Sequence, residues 1–186
     1  GEEVLPETLA ALPRQVTGFD VVEWLVIDDG SSDNTVNVAR QHGVDHIVSH
    51  KRTKGLARAF MTGLDACLRA GADVIVNTDG DNQYAASDIP KLVSPVLNQE
   101  ADIVVGARPI GTHQEFSLTK KILQKIGSAV VRQVSHTRVA DTTSGFRAFS
   151  RDAAKRLMVF NEYTYTLETI IQAGHRKLAI TSVPVE

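Results

Sequence analysis

The chain has 186 residues, of which 42% are hydrophobic and 23% charged, the composition of an ordinary globular protein with enough length for one well-packed domain. A net charge of -2 excludes bulk attraction to nucleic acid or anionic lipid, so any anion site must be built locally. A single cysteine, Cys67, excludes an internal disulfide, no apolar run reaches the roughly 18 residues that read as a membrane span, and no signal peptide is visible.

The chain opens on Glu2-Glu3 and a helix-like segment, with no strand before it. Residues 22–27 read as a buried strand. Residues 33–42 read as a helix, with Asp33 as N-cap and Gly43 as its stop. Residues 46–49 form a short strand. In residues 55–70, Leu56, Ala59, Phe60, Gly63, Leu64, Cys67 and Leu68 recur at helical spacing, and Gly71 ends that helix. Residues 73–78 read as the next strand. Ser87 is placed to cap a helix running to residue 97, with Pro90 tolerated in its first turn. Residues 103–107 are again a strand. This alternation predicts an α/β domain with a mostly parallel central sheet and helices on both faces. Ligands in such folds bind beyond the carboxyl ends of the strands.

After residue 108 the style changes. Residues 109–115 read as a loop and 117–134 as an amphipathic helix. Then come "DTTSGFRAFS" (residues 141–150), a short helix at 151–157, a helix at 165–173 and a last strand at 178–185. No repeat or linker interrupts the chain, so a single domain over 1–186 is expected. Val183-Pro184-Val185 breaks off in the middle of an extended segment, and truncation at both ends is expected.

Three groups of residues point to chemistry. In "NTDGDNQY", Asp79, Asp81 and Gln83 follow a strand at spacings of two. Oxygen ligands on one side of an extended or turning segment can share a hard cation such as Mg²⁺ or Mn²⁺. The plainer reading is a solvated turn, since Asp, Gly and Asn all favour turns. In "VIDDGSSDNT", Asp28 and Asp29 end a strand, where a carboxylate can accept hydrogen bonds from a ribose diol or base N–H groups. Neither G-x-G-x-x-G nor G-x-x-x-x-G-K-[ST] is present there, which sets aside dinucleotide and P-loop sites. Arg108 stands at a strand's carboxyl end, and Arg147 follows "TTSGF". Lys54 and Arg58 flank the start of the helix at 55. A guanidinium fork suits phosphate, although each cation alone reads as surface charge. Ser144 and Gly145 offer a hydroxyl and backbone N–H groups to an anion. The six histidines have no metal-ligand spacing and read as surface or structural, Cys67 reads as a small core residue, and Glu168 faces either solvent or the site.

In their order along the chain, "VIDDGSSDNT", "NTDGDNQY", "GAR", "DTTSGFRAFS" and "TLETIIQAGHRKLAITSVPV" resemble the family 2 glycosyltransferases of the GT-A fold. Within them the chain looks most like the dolichyl- and polyprenyl-phosphate sugar transferases. The resemblance implies that Asp28, Asp29 and Asp79 bind the donor. It implies that Asp79, Asp81 and Gln83 hold a divalent metal, Mg²⁺ or Mn²⁺, on the donor diphosphate. It implies Asp81 and Arg108 as catalytic, and Arg108, Ser144 and Arg147 near the acceptor phosphate or donor diphosphate. The partners implied are a GDP- or UDP-hexose and a polyprenyl or dolichyl phosphate at the cytoplasmic face of a membrane, with no nucleic acid. Relatives begin with a central strand ending in Pro-x-Tyr-Asn-Glu, of which Glu2-Glu3 is the candidate remnant. They often continue into membrane-associated segments after "SVPV", and nothing of that kind follows here.

The implied reaction is a metal-dependent, inverting transfer of the hexose. Three other readings stay open: a non-lipid acceptor, a non-catalytic sugar-nucleotide-binding domain, and a phosphatase of the haloacid dehalogenase type. That last family uses Asp-x-Asp-x-Thr/Val after its first strand, and Gln83 departs from the pattern.

Overall fold

A computed structural model gives the fold, and the residues described are 1–109, 139–157 and 165–186. The helix expected at 117–134 lies outside them. In chain order the elements are α1 (Leu5–Ala11), β1 (Leu25–Asp28), α2 (Thr35–Gln41), β2 (His46–Ser49), α3 (Leu56–Arg69), β3 (Val74–Asn77), a 3-10 turn (Ala86–Asp88), α4 (Ile89–Leu97), β4 (Ile103–Ala107), β5 (Arg147–Ser150), α5 (Arg151–Arg156), α6 (Thr166–His175) and β6 (Ile180–Pro184).

The described strands form two sheets: β1 pairs with β2, and four strands run in the order β3-β5-β4-β6. β1 and β2 are parallel, as are β4 and β6. β5 is antiparallel to both of its neighbours, β3 and β4. Three strands of the larger sheet therefore share one direction and β5 alone is reversed. The reversal follows from the connection. The segment after β4 ends at the carboxyl edge, so β5 starts where β3 and β4 finish, with Arg147 opposite both Asn77 and Val105.

Strand alternation divides the core into two faces. Ile75, Phe149 and Ile103 are cross-strand partners in one row and pack under Ala57, Phe60 and Leu64 of α3 and Ala153 and Ala154 of α5. Val76, Ala148 and Val104 form the neighbouring row, and they pack on the opposite face with Leu92, Val93 and Val96 of α4. Helices thus cover both faces, as the sequence pattern predicts. Burying Phe60 and Leu64 contributes about 1.5–3 kcal/mol each.

Two helix starts differ from expectation. α2 begins at Thr35 rather than at 33, because Asp33 folds a turn of its own in which Oδ1 accepts the Thr35 N–H at 3.2 Å. α4 is capped at Asp88 rather than Ser87. Asp88 accepts the Glu186 N–H at 2.8 Å and thereby ties α4 to the end of the chain.

β1 and β3 do not pair. A cavity of about 830 Å³ lies between them, lined by Leu25, Val26 and Ile27 on one side and Val74, Ile75 and Val76 on the other, and it reaches Asp79. A strand fills about 160 Å³ per residue, taking ~4.8 Å between strands, ~10 Å between layers and ~3.3 Å of rise. The cavity is therefore large enough to admit a short stretch of extended chain.

Candidate active site

The carboxyl ends of β3 and β4 and the start of β5 converge on one edge. The order and register of the larger sheet dictate this: Asn77 of β3 and Val105 of β4 both lie opposite Arg147. The residues just beyond, Asp79 after β3, Arg108 after β4 and the 141–146 loop before β5, therefore meet around one crevice.

Asp79 is half-buried, and its carboxylate has no hydrogen bond among the described residues. Burial pushes its pKa up and the neighbouring Asp81 pushes it further, while Arg108 opposes both. It lies directly against Gly145. A methyl group on Gly145 would sit 3.2 Å from both Asp79 oxygens and 2.9 Å from the Tyr165 hydroxyl, so the loop can approach this closely only as glycine. The Gly145 peptide is held from two sides: its carbonyl accepts from Asn77 Nδ2 at 2.8 Å, and its N–H donates to the Tyr84 hydroxyl at 3.2 Å. Asn77 Nδ2 also donates to the Tyr165 hydroxyl at 2.8 Å. Tyr165 is buried and stacks on Phe60 with ring centroids 4.0 Å apart. Burial, with Asp79 nearby, pushes its pKa up to about 12, so it stays a neutral phenol.

Arg108 faces Asp79 across the crevice. Its Nε donates to Asp141 Oδ2 at 2.8 Å and its Nη2 to Thr143 Oγ1 at 3.2 Å. Burial disfavours the Arg108 cation, but the bonds and charge of Asp141 outweigh that and its pKa is raised. Asp141 is 1% exposed. Burial opposes its ionisation too, yet Arg108 and Thr143 hold its pKa below the ordinary value. Nη1 of Arg108 has no hydrogen bond among the described residues.

Asp81 and Gln83 are exposed, in a turn where Asn82 takes a left-handed φ of 58°, a conformation that asparagine tolerates. The Gln83 N–H donates to Asp81 Oδ1 at 3.3 Å. No three His, Cys, Asp or Glu residues cluster for a metal among the described residues. If a hard cation binds beside this turn, the donors that Asp79, Asp81 and Gln83 could offer are two carboxylates and an amide. The bond-free Asp79 carboxylate fits that role. A set this small leaves coordination positions for ligand oxygens, as Mg²⁺ sites on phosphates usually do.

Asp28 and Asp29 stand where the sequence reading puts them, at the end of β1, but their oxygens are engaged within the chain. Asp28 accepts the Ser31 N–H at 2.9 Å. Burial opposes its ionisation, but the Ser31 and Ser49 bonds prevail and its pKa is lowered. Asp29 accepts from Lys54 N at 2.9 Å and Gly55 N at 2.8 Å, and His50 Nδ1 lies 2.6 Å from its Oδ1. A carboxylate can only accept, so that nitrogen carries the proton. His50 Nε2 lies 2.9 Å from Thr62 Oγ1, and the ring is buried, which makes this histidine structural. The pairing follows from strand register: β1 and β2 run in register through Asp28 and Ser49, and Asp29 and His50 come next.

Ser144 and Arg147 depart from expectation. Both are fully buried. Ser144 Oγ accepts the Phe146 N–H at 3.3 Å, and the Arg147 guanidinium is enclosed by carbonyl and hydroxyl oxygens. Neither side chain presents a donor to the crevice. Asn77, Tyr84, Asp141 and Tyr165 went unnoticed in the sequence. A tyrosine one residue beyond Gln83 was the available signal for Tyr84, whereas Tyr165 carries none.

A family model described as glycosyl transferase family 2 matches residues 1–158. The chain belongs to that family. It is a glycosyltransferase, and the family match leaves no place for the haloacid dehalogenase reading. Among family 2 relatives, it is 33% identical over 184 residues to a UDP-N-acetylglucosamine–dolichyl-phosphate N-acetylglucosaminyltransferase of Methanococcus voltae, covering 87% of this chain and 73% of that protein. It is 32% identical over 194 residues to an undecaprenyl-phosphate mannosyltransferase of Micrococcus luteus, covering 98% of this chain and 77% of that protein. These likenesses place the glycosyltransferase among the polyprenyl-phosphate sugar transferases. Its fold is that of glucosyl-3-phosphoglycerate synthase from Mycobacterium tuberculosis, solved with Mn²⁺ and UDP-glucose, at a TM-score of 0.77 and 24% identity. The alignment covers 99% of this chain and 65% of that one, so the chain spans about two thirds of the length of that structure. The GT-A architecture expected from the motifs is therefore the observed one.

Proposed function

We propose that this glycosyltransferase moves a hexose from a nucleotide-diphosphate sugar to a polyprenyl or dolichyl phosphate, in a metal-dependent single displacement with inversion. The observation that carries this reading is the opposition of Asp79 and Arg108 across one crevice, a carboxylate with no bond among the described residues facing a cation with a free edge. Asp79, Asp81 and Gln83 would hold Mg²⁺ or Mn²⁺. When bound, that ion offsets the negative charge that develops on a departing diphosphate. Arg108, fixed by Asp141, offers Nη1 to a phosphate oxygen of donor or acceptor, and its rigid mounting means it needs no reorganisation as charge develops. Asp28 and Asp29 bound the nucleoside side of the crevice and shape the 50–55 loop there.

The carboxylates described beside the crevice suit a phosphate acceptor, which needs no base, because Asp79, whose pKa is raised, is taken up by the metal in this reading. Asp28, Asp29 and Asp141 all have lowered pKa values and are poor proton acceptors. A phosphate monoester has a second pKa of about 6, so its oxygen attacks already deprotonated near neutral pH. Among the described residues no helix is long and apolar enough to cross a membrane. The reading has the domain act at the cytoplasmic face of a membrane, where a lipid-linked phosphate would be presented to it. The cavity between β1 and β3 has room for a short stretch of extended chain.

The test is transfer of labelled sugar from UDP- and GDP-hexoses to undecaprenyl phosphate, dolichyl phosphate or 3-phosphoglycerate, with Mn²⁺ or with EDTA. Lipid-linked product formed only with metal, with an inverted anomeric linkage, supports the proposal. Transfer to 3-phosphoglycerate alone would reassign the acceptor. Donor binding with no transfer to any acceptor would favour a binding domain.

A further inference from the structure

Arg147 is the largest fully buried side chain among the described residues. Its guanidinium bonds only uncharged oxygens: Nε donates to Ser144 O at 2.7 Å, Nη2 to Thr142 O at 2.9 Å, and Nη1 to Thr166 O at 2.8 Å and Thr169 Oγ1 at 2.6 Å. No described carboxylate pairs with it. Burial lowers its pKa to about 10, against the opposing pull of Tyr165 and Asp141, so the group is still a cation at neutral pH. Burying an unpaired cation is among the costliest arrangements a protein can adopt. Methionine would fill similar space without that cost, so the four bonds need a purpose.

The four acceptors fall into two groups. Thr142 and Ser144 belong to the loop that holds Arg108 through Asp141 and presses Gly145 against Asp79. Thr166 and Thr169 belong to the first turn of α6, immediately after Tyr165, whose hydroxyl closes on Gly145 from the other side. One guanidinium thus bolts together the two segments that frame the Asp79 carboxylate.

We propose that Arg147 is a positioning residue: it fixes the 141–145 loop against α6 and so sets the aim of Asp79 and the mounting of Arg108, without touching substrate. This rests on the reading of Asp79 as a metal-holding carboxylate. Only arginine supplies a planar fork that reaches four oxygens in fixed directions. Lysine keeps the charge with at most three donors from a single point.

The test uses Arg147→Lys and Thr169→Val in the intact enzyme, the latter removing one acceptor while leaving the guanidinium in place. Mn²⁺ affinity in the presence of UDP is read by electron paramagnetic resonance, alongside circular dichroism, melting temperature, and kcat and KM for the donor. The Lys variant is expected to keep its secondary structure while Mn²⁺ binding weakens by about 10- to 100-fold. Its kcat should fall much more than KM rises, and Thr169→Val should show a smaller change in the same direction. Variants that melt earlier but bind Mn²⁺ and turn over as the wild type does would overturn the proposal and leave Arg147 merely structural. If the Lys variant does not fold, Thr169→Val decides by the same readout. A wild type whose Mn²⁺ binding is unchanged by Asp79→Ala would remove the metal reading itself, and this proposal with it.

Discussion

Asp79 carries a carboxylate that its surroundings push towards the protonated form. A group whose folded pKa is raised contributes stability below its ordinary value of 3.8 and loses it as pH rises through the folded value. At neutral pH the ionised Asp79 therefore weakens the metal-free fold. Asp79→Asn is expected to melt higher than the wild type without metal, and to lose the further rise that Mn²⁺ with UDP gives the wild type. An unchanged or lower melting temperature in metal-free buffer would contradict the assignment. Asp81→Asn should abolish metal-dependent turnover with the fold intact, and normal activity in that variant would sink its role. Asp141 behaves in the opposite sense, because its folded pKa is lowered. Its contribution is present above the ordinary value of 3.8 and is lost as pH falls through the folded value. Asp141→Asn leaves Arg108 half-buried with a neutral partner. It should cost about 1–3 kcal/mol, read by chemical denaturation at neutral pH, with the difference from wild type shrinking in acid.

At the level of elements, the reversed strand β5 builds the crevice. Had β5 run with its neighbours, the 141–146 loop would reach the opposite edge, far from Asp79 and Arg108. The unpaired edges of β1 and β3 have a consequence for dynamics. β4 is bonded on both sides, by β5 and β6, and its residues from Ile103 to Val105 are fully buried. Among the described residues β3 is bonded only by β5. Amide exchange is therefore expected to be slowest in β4 and faster by at least an order of magnitude at the β3 amides that face the cavity. Exchange at those amides as slow as in β4 would mean that an extended segment of chain pairs with them.

For the whole molecule, metal and nucleotide should act as ligands of the native state alone. Mn²⁺ with UDP at about a hundred times the dissociation constant should add about 2.7 kcal/mol of stability, visible as a rise in melting temperature that EDTA reverses. A rise of the same size in Asp79→Ala would locate the ligand elsewhere. The modest net charge of -2 makes the opposed Asp79 and Arg108 a local electrostatic device rather than part of a broad field.

The sequence alone determined the alternation of strands and helices, because apolar periodicity is a local property: β4 at Ile103–Ala107 and α3 at Leu56–Arg69 follow directly from it. It also determined the acidic and basic motifs at the strand ends and, through them, the family. The tertiary structure alone decided which side chains face the crevice. Arg147 and Ser144 sit in a motif that reads as phosphate-binding, yet the reversal of β5 and the approach of α6 turn them inwards. Asn77 and Tyr165 carry no signal of their own, since their work, shared with Tyr84, is to hold Gly145 against Asp79. That contact joins residues 66 positions apart in the chain, and a separation of that size is set by the packing of a whole sheet rather than by any local preference.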